Sequence, residues 1–187
     1  MPSPRSIDPV PPVLVRDSRD DDMPAVHAIY ARHVEQGTAS FELDAPTPDE
    51  MRRRRAAVLA HGFPYLVAEL DGRVAGYAYV NYFRERPAYR FIVENSIYLD
   101  DALRGRGLGK KLMVVLLDRC TALGLRQMLA VIGDSANTGS IGLHASCGFR
   151  FAGVLRASGW KHGRWLDTVL MQRDLGLGDR QAPQDGA

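Results

Sequence analysis

Apolar residues recur along the chain with two spacings, and these separate predicted helices from predicted strands. Val26, Ile29, Tyr30 and Val34 lie three to four residues apart, which is the period of one helix face. Short apolar runs bounded by Gly, Pro or Asp are typical of strands instead. Strands are therefore predicted at 13–16, 65–70, 73–82, 91–99, 127–132, 149–156 and 165–173. Helices are predicted from an aspartate cap at 20–22 to Gly37, from 47 or 48 to before Pro64, over 112–123, and from 135 or 137 through His144.

Glycines between these elements predict how neighbouring strands connect. Asp71-Gly72 between two apolar runs is a strong hairpin signal. Gly76 inside the second strand predicts a bulge or a close approach of another group. Residues 157–164, which include Gly159 and Gly163, are predicted to form an irregular connection between the last two strands. The order β-α-α-β-β-β-α-β-α-β-β predicts an α/β fold with a mixed sheet and helices on both faces.

Length and composition place these elements in one domain. The chain has 187 residues, 45% of them hydrophobic, which suits a single core. Prolines at 2, 4, 9, 11 and 12 predict a disordered arm over 1–12, and a polar, flexible tail is predicted over 176–187. The predicted domain therefore covers 13–175.

Charge and cysteine content exclude several classes of protein. A formal net charge of +2 gives no global basic field for nucleic acid. No apolar run approaches the ~20 residues that span a bilayer, and the first residues lack the pattern of a secretory signal. Two cysteines do not make a disulfide framework. A cytoplasmic protein without membrane or nucleic-acid partners is therefore predicted. No metal is predicted, because no histidine has Cys or acid at ligand spacing.

A glycine-rich turn precedes the third predicted helix, with the sequence RGRGLG at 104–109 followed by two lysines. Exposed N–H groups at a helix start attract phosphate oxygens, so the turn is a candidate pyrophosphate site. The alternative is an ordinary turn with solvated basic residues. A P-loop needs Gly where Arg104 stands and Ser or Thr where Lys111 stands. A dinucleotide fingerprint needs different glycine spacing directly after a strand.

The turn instead resembles the R/Q-x-x-G-x-G/A motif by which GNAT acyltransferases bind acetyl-CoA. A second segment, with Asn137 before a helix, Ser140 in its first turn and Gly148-Phe149 at its end, resembles the later motif of that family. The resemblance implies the GNAT fold, with a mixed, mostly antiparallel sheet of about seven strands. The coenzyme residues it implies, together with main-chain donors expected where the 91–99 strand ends, are Ile97, Tyr98, Leu99, Arg104, Gly105, Arg106, Gly107, Leu108, Gly109, Lys110, Asn137 and Ser140.

Within that superfamily the chain is similar to the phosphinothricin acetyltransferase group. The similarity is carried by RERPAYR at 84–90, VENSIYL at 93–99, KHGRWLD at 161–167, and Phe41 with its neighbours. It implies acetylation of the α-amino group of phosphinothricin, methionine sulfoximine or methionine sulfone, and a homodimer with pockets near the partner. The candidate acceptor-binding residues are Phe41, Arg84, Glu85, Arg86, Arg90, Asn95, Ser96 and Trp165.

Two residues are candidates for the proton transfers. Glu94 lies in mid-strand within an apolar run, where an idle carboxylate is costly; it is interpreted as the general base, with a paired structural carboxylate as the alternative. His144 stands where many family members have a tyrosine, and it is either the acid for the departing thiolate or a packed or capping histidine.

The other candidate roles also have structural alternatives. Arg84, Arg86 and Arg90 suit carboxylate or sulfone oxygens or are solvated loop charges. Phe41 and Trp165 could wall the pocket or serve as core or interface aromatics. Two further functions stay open: acetylation of another amine (a polyamine, an aminoglycoside or a protein N-terminus) and a non-catalytic coenzyme-binding module. The arginine-containing loop argues against cationic acceptors.

Overall fold

The strands lie in one sheet, in the order β1-β2-β3-β4-β5-β7-β6. The computed structural model describes residues 13–183, so the predicted arm over 1–12 and the end of the predicted tail lie outside the described residues. Within that range the strands are β1 (Leu14–Asp17), β2 (Tyr65–Leu70), β3 (Arg73–Tyr82), β4 (Ile92–Leu99), β5 (Gln127–Gly133), β6 (Arg150–Lys161) and β7 (Arg164–Asp174). Among these described strands, only the β4–β5 pair is parallel. The predicted mixed, mostly antiparallel fold is confirmed, while the domain limits 13–175 stay a prediction.

The part of the chain from 13 to 183 has four α-helices, which cover the sheet: α1 (Met23–Gln36), α2 (Pro48–Ala60), α3 (Leu108–Ala122) and α4 (Thr138–Ser146). Tyr98 of β4 packs edge-on against Tyr30 of α1, with ring centroids 5.0 Å apart. The next residue, Leu99, lies beside Gly109 of α3. Successive strand side chains point to opposite faces, so α1 and α3 cover opposite faces of the sheet, as predicted.

The helix starts show where simple capping rules hold. Thr47 caps α2, because its hydroxyl oxygen accepts the Glu50 N–H at 3.2 Å. The aspartates at 20–22 form a 3₁₀ turn before α1, and Asp22 makes no side-chain cap. Its carboxylate instead accepts hydrogen bonds from the Arg16 guanidinium and the Arg19 N–H. The prediction of an aspartate cap was therefore wrong in its chemistry, although the helix position was right.

The connection predicted over 157–164 is also wrong. Strand β6 continues to Lys161, and the turn to β7 consists of His162 and Gly163, with φ of 51° and 72°. Two residues with positive φ are typical of the two-residue hairpin turn that suits the strand twist. A register shift between Leu155 and Gly159 marks a bulge within β6. Gly159 therefore lies within β6, directly after the bulge, and does not mark a connection between strands.

Gly76 fulfils both of its predicted roles. The β2–β3 register shifts beside it, between Ala68 and Glu69. A Cβ at position 76 would lie 2.9 Å from the Tyr98 carbonyl oxygen and 2.5 Å from a Leu99 methyl group. Contacts that short do not occur in proteins, so this position needs glycine for β3 and β4 to approach each other.

Candidate active site

A gap opens between the two parallel strands at the centre of the sheet. Strands β4 and β5 pair only from Ile92 with Gln127 to Asn95 with Ala130, although β4 continues to Leu99 and β5 to Gly133. Beyond Asn95 the strands separate, and two cavities of about 240 and 300 Å³ lie along the opening. The cavities share five lining residues, so they form one continuous cleft through the sheet: Ala39, Ile97, Tyr98, Asn137 and Ser140.

The gap leaves main-chain donors of β4 without a strand partner. The Asp100 N–H donates to the Ala75 carbonyl of β3 at 2.9 Å. Because direction alternates along an antiparallel strand, the N–H groups of Leu99 and Ile97 point away from β3 and into the gap. The Tyr98 N–H points at β3. Two of the three predicted main-chain donors thus face the cleft, where they could polarise a carbonyl oxygen.

The larger cavity collects the residues predicted for the coenzyme. It is lined by every member of that set except Arg106, namely Ile97, Tyr98, Leu99, Arg104, Gly105, Gly107, Leu108, Gly109, Lys110, Asn137 and Ser140. Arg106 is exposed and lies outside this lining. Asn137 also caps α4, since its side-chain oxygen accepts the Ser140 N–H at 3.2 Å. Residues far apart in sequence therefore meet at the first turns of α3 and α4.

The glycine turn presents open amides to this cavity. Gly105 and Gly107 have φ of +78° and +77°, a region that other residues enter at a cost. Gly107 is the N-cap of α3, and no side chain within the described range 13–183 caps the first amides of the helix. Those amides are free to bind an anion at the positive end of the helix dipole.

The smaller cavity holds a carboxylate without a counter-charge. Glu94 lines it and has no hydrogen-bond or ion-pair partner among residues 13–183. Burial raises the pKa of Glu94 above the usual carboxyl value, because desolvation disfavours the charged form. A half-buried carboxylate that is not paired is suited to accepting a proton. The alternative of a paired structural carboxylate is not what the structure shows.

His144 faces the same cavity from α4 and is 2% exposed. Its Nδ1 lies 2.8 Å from the Ser140 carbonyl oxygen, and its Nε2 lies 3.0 Å from Oδ1 of Asn95. Burial lowers the pKa of His144, while the Ser140 carbonyl opposes that effect. The ring is thus both packed, edge-on against Phe149, and adjacent to the cleft.

Phe41 forms one wall of the smaller cavity, where two glycines leave room for its ring. A Cβ at Gly133 would lie 3.0 Å from the ring, and one at Gly159 would lie 2.6 Å from it. The loop that carries Phe41 is tied down by Lys161, whose ammonium donates to the Ser40 carbonyl at 2.7 Å while only 3% exposed. The turn of the β6–β7 hairpin therefore fixes the Phe41 wall.

We expect Lys161→Met to weaken binding of the acceptor alone. The substitution keeps the apolar stem but removes the charged donor to Ser40, so the Phe41 wall loosens. A charged hydrogen bond contributes about 1.5 kcal/mol, which corresponds to a roughly tenfold rise in the acceptor KM. The KM of the acyl donor should not change, since Lys161 does not line its cavity. Steady-state kinetics on this variant and on Arg156→Met, an exposed cation of the same hairpin, test this; equal rises in both KM values would contradict it.

Five predicted acceptor residues do not line the cleft within the described chain. Arg84, Glu85, Arg86 and Arg90 lie in the exposed connection between β3 and β4. The guanidinium of Arg84 sits 5.0 Å from the Phe83 ring centre, and that of Arg90 lies 4.5 Å from the Phe91 ring centre. Trp165 is 63% exposed and packs on Trp160 at the outer hairpin. By contrast, Asn95 and Ser96 do line the smaller cavity.

One residue that lines the cleft and one that ties together the segments around it were not predicted from the sequence. His33 lines the larger cavity, and its Nε2–H donates to the Leu99 carbonyl at 2.8 Å. Its place on the Val26–Val34 apolar face was a signal that it points inward. Asp134, with φ of +70°, joins three elements: its carboxylate accepts from Ala136 N, the Arg164 guanidinium and the Thr38 hydroxyl. These bonds lower the pKa of Asp134.

Residues 13–183 contain no group of three or more His, Cys, Asp or Glu side chains that could hold a metal ion. Over the same residues, none of the helices has the length and apolar character needed to cross a lipid bilayer. Cys120 and Cys147 are buried free thiols, and neither lines the cleft.

Comparison with known proteins identifies this architecture. Residues 26–149 match the Acetyltransferase (GNAT) family. A phosphinothricin N-acetyltransferase of Alcaligenes faecalis is 55% identical over 170 residues, which are 91% of this chain and 86% of the relative. An L-methionine sulfoximine/L-methionine sulfone acetyltransferase of Pseudomonas aeruginosa is 39% identical over 165 residues, 86% of this chain and 94% of the relative.

A solved structure shows the same fold. The crystal structure of a GNAT superfamily phosphinothricin acetyltransferase from Sinorhizobium meliloti, in complex with AcCoA, superposes with a TM-score of 0.90 at 47% identity, covering 93% of this chain and 94% of that one. The family match spans most of the sheet together with the glycine turn and α4. The chain therefore belongs to the GNAT acetyltransferase family.

Proposed function

We propose that this enzyme transfers the acetyl group of acetyl-CoA to the α-amino group of a small amino acid of the phosphinothricin, methionine sulfoximine or methionine sulfone kind. The observation that carries the proposal is the cleft between β4 and β5, with open helix amides at one end and a lone carboxylate at the other. The names of the relatives supply the acceptor class.

The chain's own groups fit acetyl-CoA at the larger cavity. The amides at the start of α3, with Arg104 and Lys110 beside them, suit a pyrophosphate. The N–H groups of Ile97 and Leu99 point into the cleft that leads to Glu94. There they would donate hydrogen bonds to the carbonyl oxygen of the thioester. When bound, the coenzyme supplies an acetyl group activated as a thioester.

Glu94 then acts on the acceptor as a general base. Only a neutral amine can attack, and a free α-amino group has a pKa near 7.7–8.0, whereas a lysine amine lies near 10.4. A carboxylate with a raised pKa can take the proton of an α-ammonium group directly or through a water. The match in pKa favours an α-amino acceptor over a lysine side chain.

The anionic groups of the acceptor need hydrogen-bond donors. The candidates are Arg84, Arg86 and Arg90, with Arg84 and Arg90 preferred. Guanidinium groups bind carboxylate and sulfone oxygens in two-point fashion. The loop that carries them leaves β3 beside β4, the strand of Glu94. The arginines would reach the acceptor from this exposed connection, with Phe41 and Ser96 lining the cavity that contains Glu94.

An acceptor panel with a thiol-release assay tests the proposed function. We expect acetyl-CoA turnover with phosphinothricin, methionine sulfoximine and methionine sulfone, and at least tenfold lower kcat/KM with spermidine, an aminoglycoside or a peptide N-terminus. Preference for one of the cationic amines would overturn the acceptor class. Coenzyme binding by calorimetry without turnover on any amine would instead indicate a non-catalytic coenzyme-binding protein.

We also propose that the protein acts in the cytoplasm as a homodimer that pairs through the outer face of the β6–β7 hairpin. Phe151, Leu155, Trp160 and Trp165 of these strands are 53–63% exposed. Large aromatic side chains exposed together at a sheet edge mark an interaction surface. The turn of the same hairpin holds the Phe41 loop through Lys161, so pairing would also support the acceptor wall.

A charge placed on that face should separate the subunits. We expect Trp160→Arg to elute as a monomer in size-exclusion chromatography with light scattering, whereas the unsubstituted protein elutes as a dimer. Leu14→Arg is the matched control, because Leu14 is 54% exposed but lies in β1 at the opposite edge of the sheet. A dimer that survives Trp160→Arg, or that Leu14→Arg breaks instead, would place the interface elsewhere.

A further inference from the structure

Asn95 and His144 form a buried pair at the point where β4 and β5 begin to separate. Asn95 is 5% exposed and His144 is 2% exposed. The Asn95 amide group also reaches β5, since its Nδ2 donates to the Leu129 carbonyl at 3.0 Å. The sequence suggested that Asn95 binds the acceptor, but its two polar atoms are already engaged within the protein.

The orientation of the Asn95 amide follows from its partners. A main-chain carbonyl can only accept a hydrogen bond, so the amide nitrogen must face Leu129 and the amide oxygen must face His144. The Nε2 atom of His144 lies 3.0 Å from that oxygen. The other ring nitrogen, Nδ1, lies 2.8 Å from the Ser140 carbonyl oxygen and 3.4 Å from the Ser140 hydroxyl. Both ring nitrogens therefore face an acceptor.

Two facing acceptors complement a ring that carries a proton on each nitrogen. A neutral imidazole has one N–H and would leave one nitrogen lone pair against an oxygen lone pair. Burial works in the other direction, because it disfavours the charged ring. The ionisable residues that share the cavity with His144 are Glu94 and Tyr98. The Asn95 oxygen is thus the neighbour that opposes the loss of the Nε2 proton.

We propose that Asn95 is a positioning residue that keeps a proton on Nε2 of His144, the proton that the ring donates to the departing thiolate. This rests on the proposed acetyl transfer, in which the thiolate of coenzyme A leaves as the acceptor amine becomes an amide. The Nε2–H bond breaks, its electron pair stays on the ring, and a sulfur lone pair forms the S–H bond. The neutral ring keeps its Nδ1–H on Ser140 and regains a proton from the amine's released protons through solvent.

The test is the titration of His144 in the ligand-free protein, followed by NMR of its Cε1–H. The chain has five histidines, so loss of one resonance in His144→Gln assigns the signal. Asn95→Leu keeps the side chain's size but offers no acceptor, and Asn95→Asp offers a charged one. We expect the titration midpoint of His144 to lie lowest in Asn95→Leu, higher in the unsubstituted protein and highest in Asn95→Asp.

Turnover should follow the same order. At neutral pH we expect kcat of Asn95→Leu to fall about tenfold, the effect of one hydrogen bond to a charged group. Both KM values should stay within about twofold, which a merely structural defect or the loss of an acceptor contact would not produce. Equal midpoints in the three folded proteins, or full turnover by His144→Gln, would overturn the proposal. If no amine on the panel is acetylated, the proposed function fails, and the midpoints still decide whether Asn95 governs the ring proton.

Discussion

Glu94→Gln should lower kcat at pH 7 by about a hundredfold, within the range that general bases contribute, with the KM of acetyl-CoA unchanged. The carboxylate lines the acceptor side and not the coenzyme side, so its loss removes proton acceptance without touching the donor's contacts. The deficit should shrink above pH 8, where a free α-amino group is largely neutral without help. Steady-state kinetics from pH 6 to 9.5 measures both effects.

With Glu94 in place, the pH dependence of the rate and that of the stability each have a predictable direction. Burial raises the pKa of Glu94, so the acid limb of the rate profile should begin at a higher pH than an ordinary carboxyl group would give. A raised folded-state pKa means that the folded protein binds the proton more readily than the unfolded chain. Stability is therefore gained as pH falls through that window, and the cost of the buried charge is fully present at neutral pH.

The direction of this stability effect provides a control for the kinetic experiment on Glu94→Gln. Glutamine removes the buried charge, so thermal unfolding of Glu94→Gln at pH 7 should occur at the same temperature or a higher one. A rate loss with a lowered unfolding temperature would point to damaged structure, and unchanged turnover would remove Glu94 from the role of base. Neither result would bear on the proposed coenzyme site, because other residues form that site.

The grouping of the proposed coenzyme residues around one cavity was predictable because its determinants are local. A helix start, two glycines with positive φ and an N-cap are properties of short segments, so the turn at 104–109 and Asn137 could be identified as sites before any contact was known. All but one of the predicted coenzyme residues line one cavity. The predicted family and the predicted mixed α/β fold are confirmed.

The acceptor side was harder because its parts meet only in three dimensions. Phe41, Lys161 and Asp134 come from three separate stretches, and the Phe41 ring needs the space that Gly133 and Gly159 leave. The positions of the exposed Arg84 and Arg90 were hard to predict for the same reason, because the sequence of a loop does not determine where its side chains point. Asn95 shows the limit most clearly: its type suggested a ligand contact, whereas its neighbours occupy both of its polar atoms.

Gly107→Asp should weaken acetyl-CoA binding more than any other single change at the coenzyme side, by about a hundredfold. Position 107 has φ of +77°, so any side chain strains the turn by roughly 1–2 kcal/mol. Aspartate also places negative charge at the helix start that attracts phosphate. Gly107→Ala separates the two effects, because it introduces strain without charge, and we expect a loss of about tenfold. Arg104→Ala, which removes one donor, should cost about tenfold or less.

Calorimetric titration with coenzyme A measures these losses against a control that carries the same strain. Gly62→Asp introduces aspartate at φ of +72°, beside α2 and away from the cleft, so its affinity should equal that of the unsubstituted protein. A charge effect at the turn predicts that Gly107→Asp loses more at low salt than at high salt, whereas the loss in Gly107→Ala should not depend on salt. Equal affinities for Gly107→Asp, Arg104→Ala and Gly62→Asp would show that the pyrophosphate binds somewhere other than this helix start, and the cleft would then need another entrance for the coenzyme.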